Sequence, residues 1–246
     1  MLRPPGESLR QVLEDEFEKI FYCLVWLLFI PFVMAMLVIS QREAPLWLEA
    51  LFLLIGIASV SWGLISFRTQ LRKVYNYRLG FQGERFVGGL LETLREHGYR
   101  VFHDLPFDNF NIDHALVGPG GVFAIETKTR RKVVSKKGNS GKPAKVLFDG
   151  QSLNFPQWQD SFGVKQACNN ARHLSTHLSA ATGEKVAVDP ILVLPGWWVE
   201  STTNQPLLVL NPKQLLSAIP RRPQKLTPAQ IQRIAYQLER MAEMEF

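Results

Sequence analysis

A mixed α/β domain that opens α-β-β-β, preceded by two membrane-spanning helices, is the fold class this sequence predicts. Three observations carry it. Two long apolar runs lie before residue 68. An amphipathic helical pattern over 80–97 leads into a strand-like run. A hairpin pattern, NIDHALVGPGGVFAIETK, then fills residues 111–128.

At 246 residues the chain has room for one domain of ordinary size and something more. Cys23 and Cys168 lie far apart, so no disulfide framework is implied and a reducing compartment fits. The net charge of +6 is unevenly spread: residues 1–67 hold four Lys/Arg against seven Asp/Glu, and residues 68–246 hold 24 against 15. The C-terminal part therefore expects an anionic partner, nucleic acid or a lipid surface.

Residues 1–19 are polar and acid-rich and read as a tail with a short amphipathic helix. Residues 20–39 carry no charge, a length that spans a bilayer core at about 1.5 Å per residue. Pro31 is tolerated in such a helix. After the short link SQREAP a second apolar run covers 46–67, with Glu49 alone near its start. Together, 20–67 read as a transmembrane hairpin. A signal peptide fits poorly, because the preceding segment is acidic and the apolar run is too long. Gly56, Ser59 and Gly63 mark a helix-packing face. Arg3, Arg10 and Lys19 precede the first run and Arg68, Arg72, Lys73 and Arg78 follow the second, with only Arg42 between them. This distribution predicts a multi-pass membrane protein with both termini and the following domain in the cytoplasm. Residues 68–78 read as a basic juxtamembrane linker.

The folded domain is expected over 79–200, with a C-terminal segment of strand and helices over 201–246. Phe86, Val87, Leu90, Leu91 and Leu94 are spaced as one helix face, and Gly98 is a stop. Glu84 falls in the first turn of that helix as read, where an acid suits the helix dipole. A strand follows over 99–105. In the hairpin, apolar runs 112–117 and 122–125 flank Gly118-Pro119-Gly120-Gly121. Pairing Gly118 with Gly121 sets Asp113 opposite Glu126, with Cβ atoms about 4.5–5.5 Å apart. Pro119 favours a type I or II turn, and a G1 bulge there would shift the pairing by one.

Two opposed carboxylates repel, and a bound cation removes that penalty. Lys128, two residues beyond Glu126, projects from the same face. Hard carboxylate oxygens suit Mg²⁺, with Mn²⁺ as the alternative ion, so Asp113 and Glu126 are the candidate metal ligands. A lysine beside them can orient or help deprotonate an attacking water and offset charge on a phosphate. The plain alternative is a structural hairpin with a wet acidic face.

Residues 127–148 hold eight Lys/Arg and no acid. Beyond Lys128, Arg130, Arg131, Lys132, Lys136, Lys137, Lys142 and Lys145 form a basic loop or loose β-extension suited to tracking phosphates. Phe148, Phe155, Trp158 and Phe162 come next, as base-stacking or core residues. A long helix begins at 158 or 163 and ends near 181, carrying Gln166, Asn169, Asn170, His173 and His177. The two histidines lack the glutamate and third ligand of a zinc site, so an exposed helix face is expected. Strands over 186–194 and 207–210 are apolar enough to be central ones. Asn211-Pro212 starts a short helix to Ile219, and Thr227-Pro228 starts a final one.

In this order, Gly83-Glu84, Ile112-Asp113-His114, Val117-Gly118-Pro119, Gly121-Val122-Phe123, Glu126-Thr127-Lys128 and Gln166-Ala167 resemble the nuclease-related domain (NERD) group of the PD-(D/E)XK nuclease superfamily. The resemblance covers about 80–194. It implies a restriction-endonuclease-like α-β-β-β-α-β core and Mg²⁺-dependent phosphodiester hydrolysis, with DNA the expected polymer. Carried over, Asp113 and Glu126 hold metal and Lys128 attends the water. Glu84 is the helical acid that assists the site, and Gln166 the helical polar residue near the phosphate. Many superfamily members act as dimers, so a homodimer is among the assemblies implied. The chain departs from many relatives in its basic insert at 129–147, which bears on substrate geometry. The rival reading is a non-catalytic nucleic-acid-binding or regulatory module on the same fold.

Overall fold

The computed structural model describes residues 3–40, 45–107, 109–131, 144–203 and 205–243. The chain divides into two compact units, Leu9–Leu79 and a second made of Met1–Ser8 with Gly80–Phe246.

The Leu9–Leu79 unit is built from most of α1 (Glu7–Ser40) and the first part of α2 (Leu46–Glu92). Both helices are long and apolar enough to cross a membrane. They meet along the expected small-residue stripe. The Cβ of Leu27 lies 3.2 Å from where a side chain on Gly63 would begin, and Ser59 Oγ donates to the Trp26 carbonyl at 2.8 Å. Trp26 and Trp62 pack edge to face at 5.5 Å. Small residues here exchange side-chain volume for backbone proximity. The basic stretch 68–78 is helical, because no glycine or proline from Leu64 to Leu79 interrupts α2.

In the second unit the expected helix over 80–97 is the last part of α2, closed by a 3₁₀ turn (Thr93–His97) and by Gly98 at φ +79°. Five strands make the main sheet: β1 (Arg100–Phe107), β2 (Phe110–Gly118), β3 (Gly121–Thr127), β7 (Val188–Val193) and β9 (Leu208–Leu210), in that spatial order. The first three are antiparallel, and β7 and β9 add in parallel. A parallel strand needs a crossover, which α3 (Phe162–Thr182) supplies between β3 and β7. The α-β-β-β-α-β order expected from the sequence is therefore present.

Each sheet face carries its own core. Ala115, Val117, Val122 and Ala124 pack under Ala171, Leu174 and Leu178 of α3 and Ile234 and Leu238 of α5 (Pro228–Glu243). Leu116, Phe123, Ile125 and Ile191 pack under Val87 and Leu91 of α2 and Leu215 of α4 (Pro212–Ala218). Alternation along β2 and β3 divides the two sets, as period-2 geometry requires. Two expectations change. The 207–210 run was read as central, but β9 closes the sheet as an edge strand, its apolar residues covered by α4. A second sheet, in the order β6 (Gln159–Asp160), β5 (Leu153–Asn154), β4 (Lys145–Phe148) and β8 (Trp198–Ser201), was not expected as such. Strands of two to four residues are too short to show periodicity.

Candidate active site

The hairpin register follows the simple turn. Gly118 pairs with Gly121 and His114 with Ile125, with no bulge shift, so the ladder ends one step before Asp113 and Glu126. Their closeness is visible in another bond: the Thr127 N–H donates to Asp113 Oδ2 at 2.7 Å. Beyond the strand, the Lys128 N–H donates to the Val193 carbonyl at 2.9 Å, which anchors the lysine to β7.

Glu126 is the buried centre of the cluster, 2% exposed. Lys128 Nζ lies 2.7 Å from its Oε1, and Asn170 Nδ2 donates to its Oε2 at 2.8 Å. The two carboxylate oxygens are thus held from opposite directions, by the strand and by α3. In the sequence Asn170 is one polar residue among several on its helix. Gln166, the residue singled out there, sits one helical turn earlier on the same stripe.

Two glycines let the helices approach this closely. A methyl group on Gly83 would overlap the Thr129 hydroxyl, so Gly83 seats α2 against the chain leaving β3. A side chain on Gly163 would begin 3.2 Å from Lys128 Cγ, so the first turn of α3 lies against the lysine stem.

Glu84 is buried with this group. The sequence placed it in a helical first turn; it lies instead about two turns before the end of α2, so no N-terminal dipole favours its charge. Burial, then the negative charges of Asp104 and Glu126, push its carboxyl up to about 8, against a smaller lowering by Lys128. Asp113 is raised well above the ordinary range by burial and by Glu126 and Glu84, more than the Thr127 N–H and Lys128 lower it. Burial also raises Glu126, opposed by Lys128 and Arg130. Each of these three carboxyls therefore sits where ionisation is unfavourable. Protonation relieves that cost, and so would a bound cation.

The donor set fits a hard divalent ion. Among the described residues no three His, Cys, Asp or Glu side chains form a ready-made ligand set. The fit is of the Mg²⁺ kind, in which one or two carboxylates act with water and substrate phosphate. The Thr127 hydroxyl is buried without a hydrogen-bond partner at the end of β3.

The candidate basic residues separate. Arg130 is committed to Asp160, with Nη2 at 2.6 Å and Nε at 3.1 Å, and its carbonyl accepts from Trp197 Nε1. Lys145 pairs with Glu200 at 2.7 Å on the surface. Arg131 is exposed. Lys132, Lys136, Lys137 and Lys142 lie outside the described residues. His173 and His177 pack against Phe107 and Phe110, with ring centroids 5.1 Å apart for His173 and Phe110 and 6.0 Å for His177 and Phe107. They cover an aromatic pair on the helix surface.

Two features had no signal in the sequence. His103 Nδ1 and His114 Nδ1 lie 2.9 Å apart, and Glu92 holds the other side of His103 at 3.0 Å. Asp104, 1% exposed and at φ +50°, accepts from the Ser8 N–H at 3.0 Å and from Ser8 Oγ at 2.6 Å.

No curated protein and no solved structure matches the chain. Residues 79–195 do match a family model, described as the nuclease-related domain, and every residue of the carboxylate–lysine cluster falls inside the match. The span agrees with the resemblance seen over 80–194, so this segment of the chain is similar to the nuclease-related (NERD) domain family.

Proposed function

We propose that this chain is a membrane-anchored, Mg²⁺-dependent nuclease that hydrolyses phosphodiester bonds, with DNA as substrate and the domain on the cytoplasmic side. One observation carries the reading: Lys128 pairs with the buried Glu126 beside Asp113, which the Thr127 N–H holds, inside a segment similar to the nuclease-related domain. Asp113 and Glu126 would hold the ion, with Mn²⁺ as a substitute. When bound, the ion lowers the pKa of the attacking water and offsets charge on the phosphate.

The chain's own groups supply the rest. Lys128, tied to Glu126, is in reach of a water or phosphate oxygen at the carboxylates and orients or deprotonates that water. Asn170 keeps Glu126 in one rotamer. Glu84 adds negative charge that strengthens cation binding, and its raised pKa lets it hold a proton until the cation arrives. The basic segment after Lys128 provides affinity for the phosphate backbone.

Two features support the topology. Lys and Arg flank the outer ends of the two apolar runs, as in cytoplasmic segments. Ser8, ahead of the first run, bonds Asp104 of the segment that follows the second, which supports a reading with both ends of the hairpin on one side.

The test is cleavage by the full chain in detergent, with single- and double-stranded DNA and with RNA, in Mg²⁺, Mn²⁺ or EDTA. Cleavage that needs the metal and is lost in Asp113→Ala, Glu126→Ala and Lys128→Ala supports the reading. Salt-sensitive binding without cleavage, unchanged in those variants, overturns it in favour of a binding module.

A further inference from the structure

Four aromatic residues follow the basic segment, and the fold separates them. Phe148 and Phe155 are buried in the core of the small sheet. Trp158 stacks on Phe155 at 4.7 Å and meets Trp197 edge-on at 6.0 Å. Phe162 alone of the four projects outward, 69% exposed. It is the first residue of α3, and Lys128 Nζ lies 6.0 Å from its ring centroid.

This ring sits on a fixed base. Its own N–H donates to Asp160 Oδ1 at 2.9 Å, and Asp160 is clamped by Arg130. The neighbouring Gly163 lies against Lys128 Cγ. The backbone under Phe162 is therefore tied to the same lysine that serves the carboxylates. Core packing does not account for the ring, since an exposed phenylalanine forgoes most of the stabilisation that burial gives.

Resting on the nuclease reading above, we propose that Phe162 is a base-stacking platform that sets substrate preference. The preferred substrate is a nucleotide with an open base face: single-stranded, frayed or terminal, rather than one inside an intact duplex. The geometry leads to this directly. A phosphate brought to Lys128 carries its nucleoside to the neighbouring ring, and aromatic stacking accepts any base because every base has a π-face. Inside a duplex both base faces are already covered by neighbours, and exposing one costs unstacking energy.

The experiment compares full-length wild type, Phe162→Ala and Phe162→Trp in detergent with Mg²⁺. Substrates are a single-stranded oligonucleotide, the same strand with one abasic position moved along it, and its duplex. Phe162→Ala is expected to raise KM for the single strand by about 5- to 150-fold, the range one stacked base contributes, with kcat within about twofold. Phe162→Trp should keep the wild-type KM. An abasic position at the platform should cost wild type the same factor and cost Phe162→Ala nothing more. An unchanged KM in Phe162→Ala overturns the proposal, including where that variant instead loses vesicle binding or changes oligomeric state. So does wild-type indifference to every abasic position.

If wild type cleaves no substrate with Mg²⁺ or Mn²⁺, the nuclease reading fails separately. Stacking is then decided by binding a single strand that contains 2-aminopurine. Quenching that Phe162→Ala abolishes supports the platform, and equal fluorescence with both proteins overturns it.

Discussion

Asn170, on α3, donates from Nδ2 to Glu126 Oε2 at 2.8 Å, while Lys128 occupies the other oxygen of the same carboxylate. A buried carboxylate with both oxygens engaged has little rotamer freedom, so Glu126, as the proposed metal ligand, is oriented before any cation reaches it. Partners of this outer kind change metal affinity or activity by about 10- to 100-fold when removed. Asn170→Ala should lower kcat by that factor and raise the Mg²⁺ concentration for half-maximal rate. A rate and Mg²⁺ response equal to wild type would show that Lys128 alone suffices to hold Glu126.

The pH dependence of stability follows from Glu84. Its ordinary value is near 4.5 and its folded value about 8, so between these it holds a proton in the folded chain that the unfolded chain has released. Folding stability therefore falls as pH rises through that window, by at most about 1.4 kcal/mol per pH unit for this one group. Burial keeps His103 and His114 below their ordinary range, which acts the other way on the acid side. The readout is thus the difference between wild type and Glu84→Gln. In EDTA the variant should lose much of the decline between pH 5 and 8. Mg²⁺ should stabilise wild type more at pH 8 than at pH 6, because its binding competes with protons.

Two nearby glycines on α2 should respond in opposite ways. Gly83→Ala forces a methyl into the Thr129 hydroxyl and should destabilise the domain and reduce activity, by displacing the segment that carries Lys128. Gly89 is exposed, and nothing lies within 4 Å of its missing side chain. Gly89→Ala should stabilise by up to about 1 kcal/mol, the helix-propensity difference, with activity unchanged. Thermal melts and rates of the two variants check both.

Ser8 and Asp104 join the chain's start to the domain. Asp104 is held in a left-handed backbone conformation and almost fully buried, and two of its hydrogen bonds come from Ser8. Removing residues 2–8 leaves that carboxylate short of donors. This should cost about 1–3 kcal/mol, measured as a lower denaturation midpoint than that of the full chain. Ser8→Ala, which keeps the backbone donor, should cost less. Equal midpoints for all three proteins would show that water replaces Ser8 without loss.

Much of this protein was legible from local patterns. The Gly118-Pro119-Gly120-Gly121 turn between two apolar runs narrowed the register to two pairings one step apart, and the structure takes the simple turn without a bulge. The end of the α2 continuation at Gly98 and the Asn211 cap of α4, which accepts from the Gln214 N–H at 2.9 Å, are likewise written in a few adjacent residues. Where local reading misplaced something, it lacked context. Glu84 looked like a first-turn acid because the helical pattern starts afresh at Gly80 when read locally, whereas α2 runs unbroken through that point from Leu46.

By itself, then, the sequence determined the two apolar helices, the hairpin and its turn, and the two-residue spacing that sets Glu126 and Lys128 on one side of the chain. Each depends on residues a few positions apart and on fixed helical or strand periods. The tertiary structure decided that Asn170 grips Glu126, that Arg130 is spent on Asp160, that Phe162 alone of its aromatic group stays outside, and that Ser8 bonds Asp104. Those contacts join residues far apart in the chain. They form only once packing against both sheet faces has fixed where each helix and loop must lie.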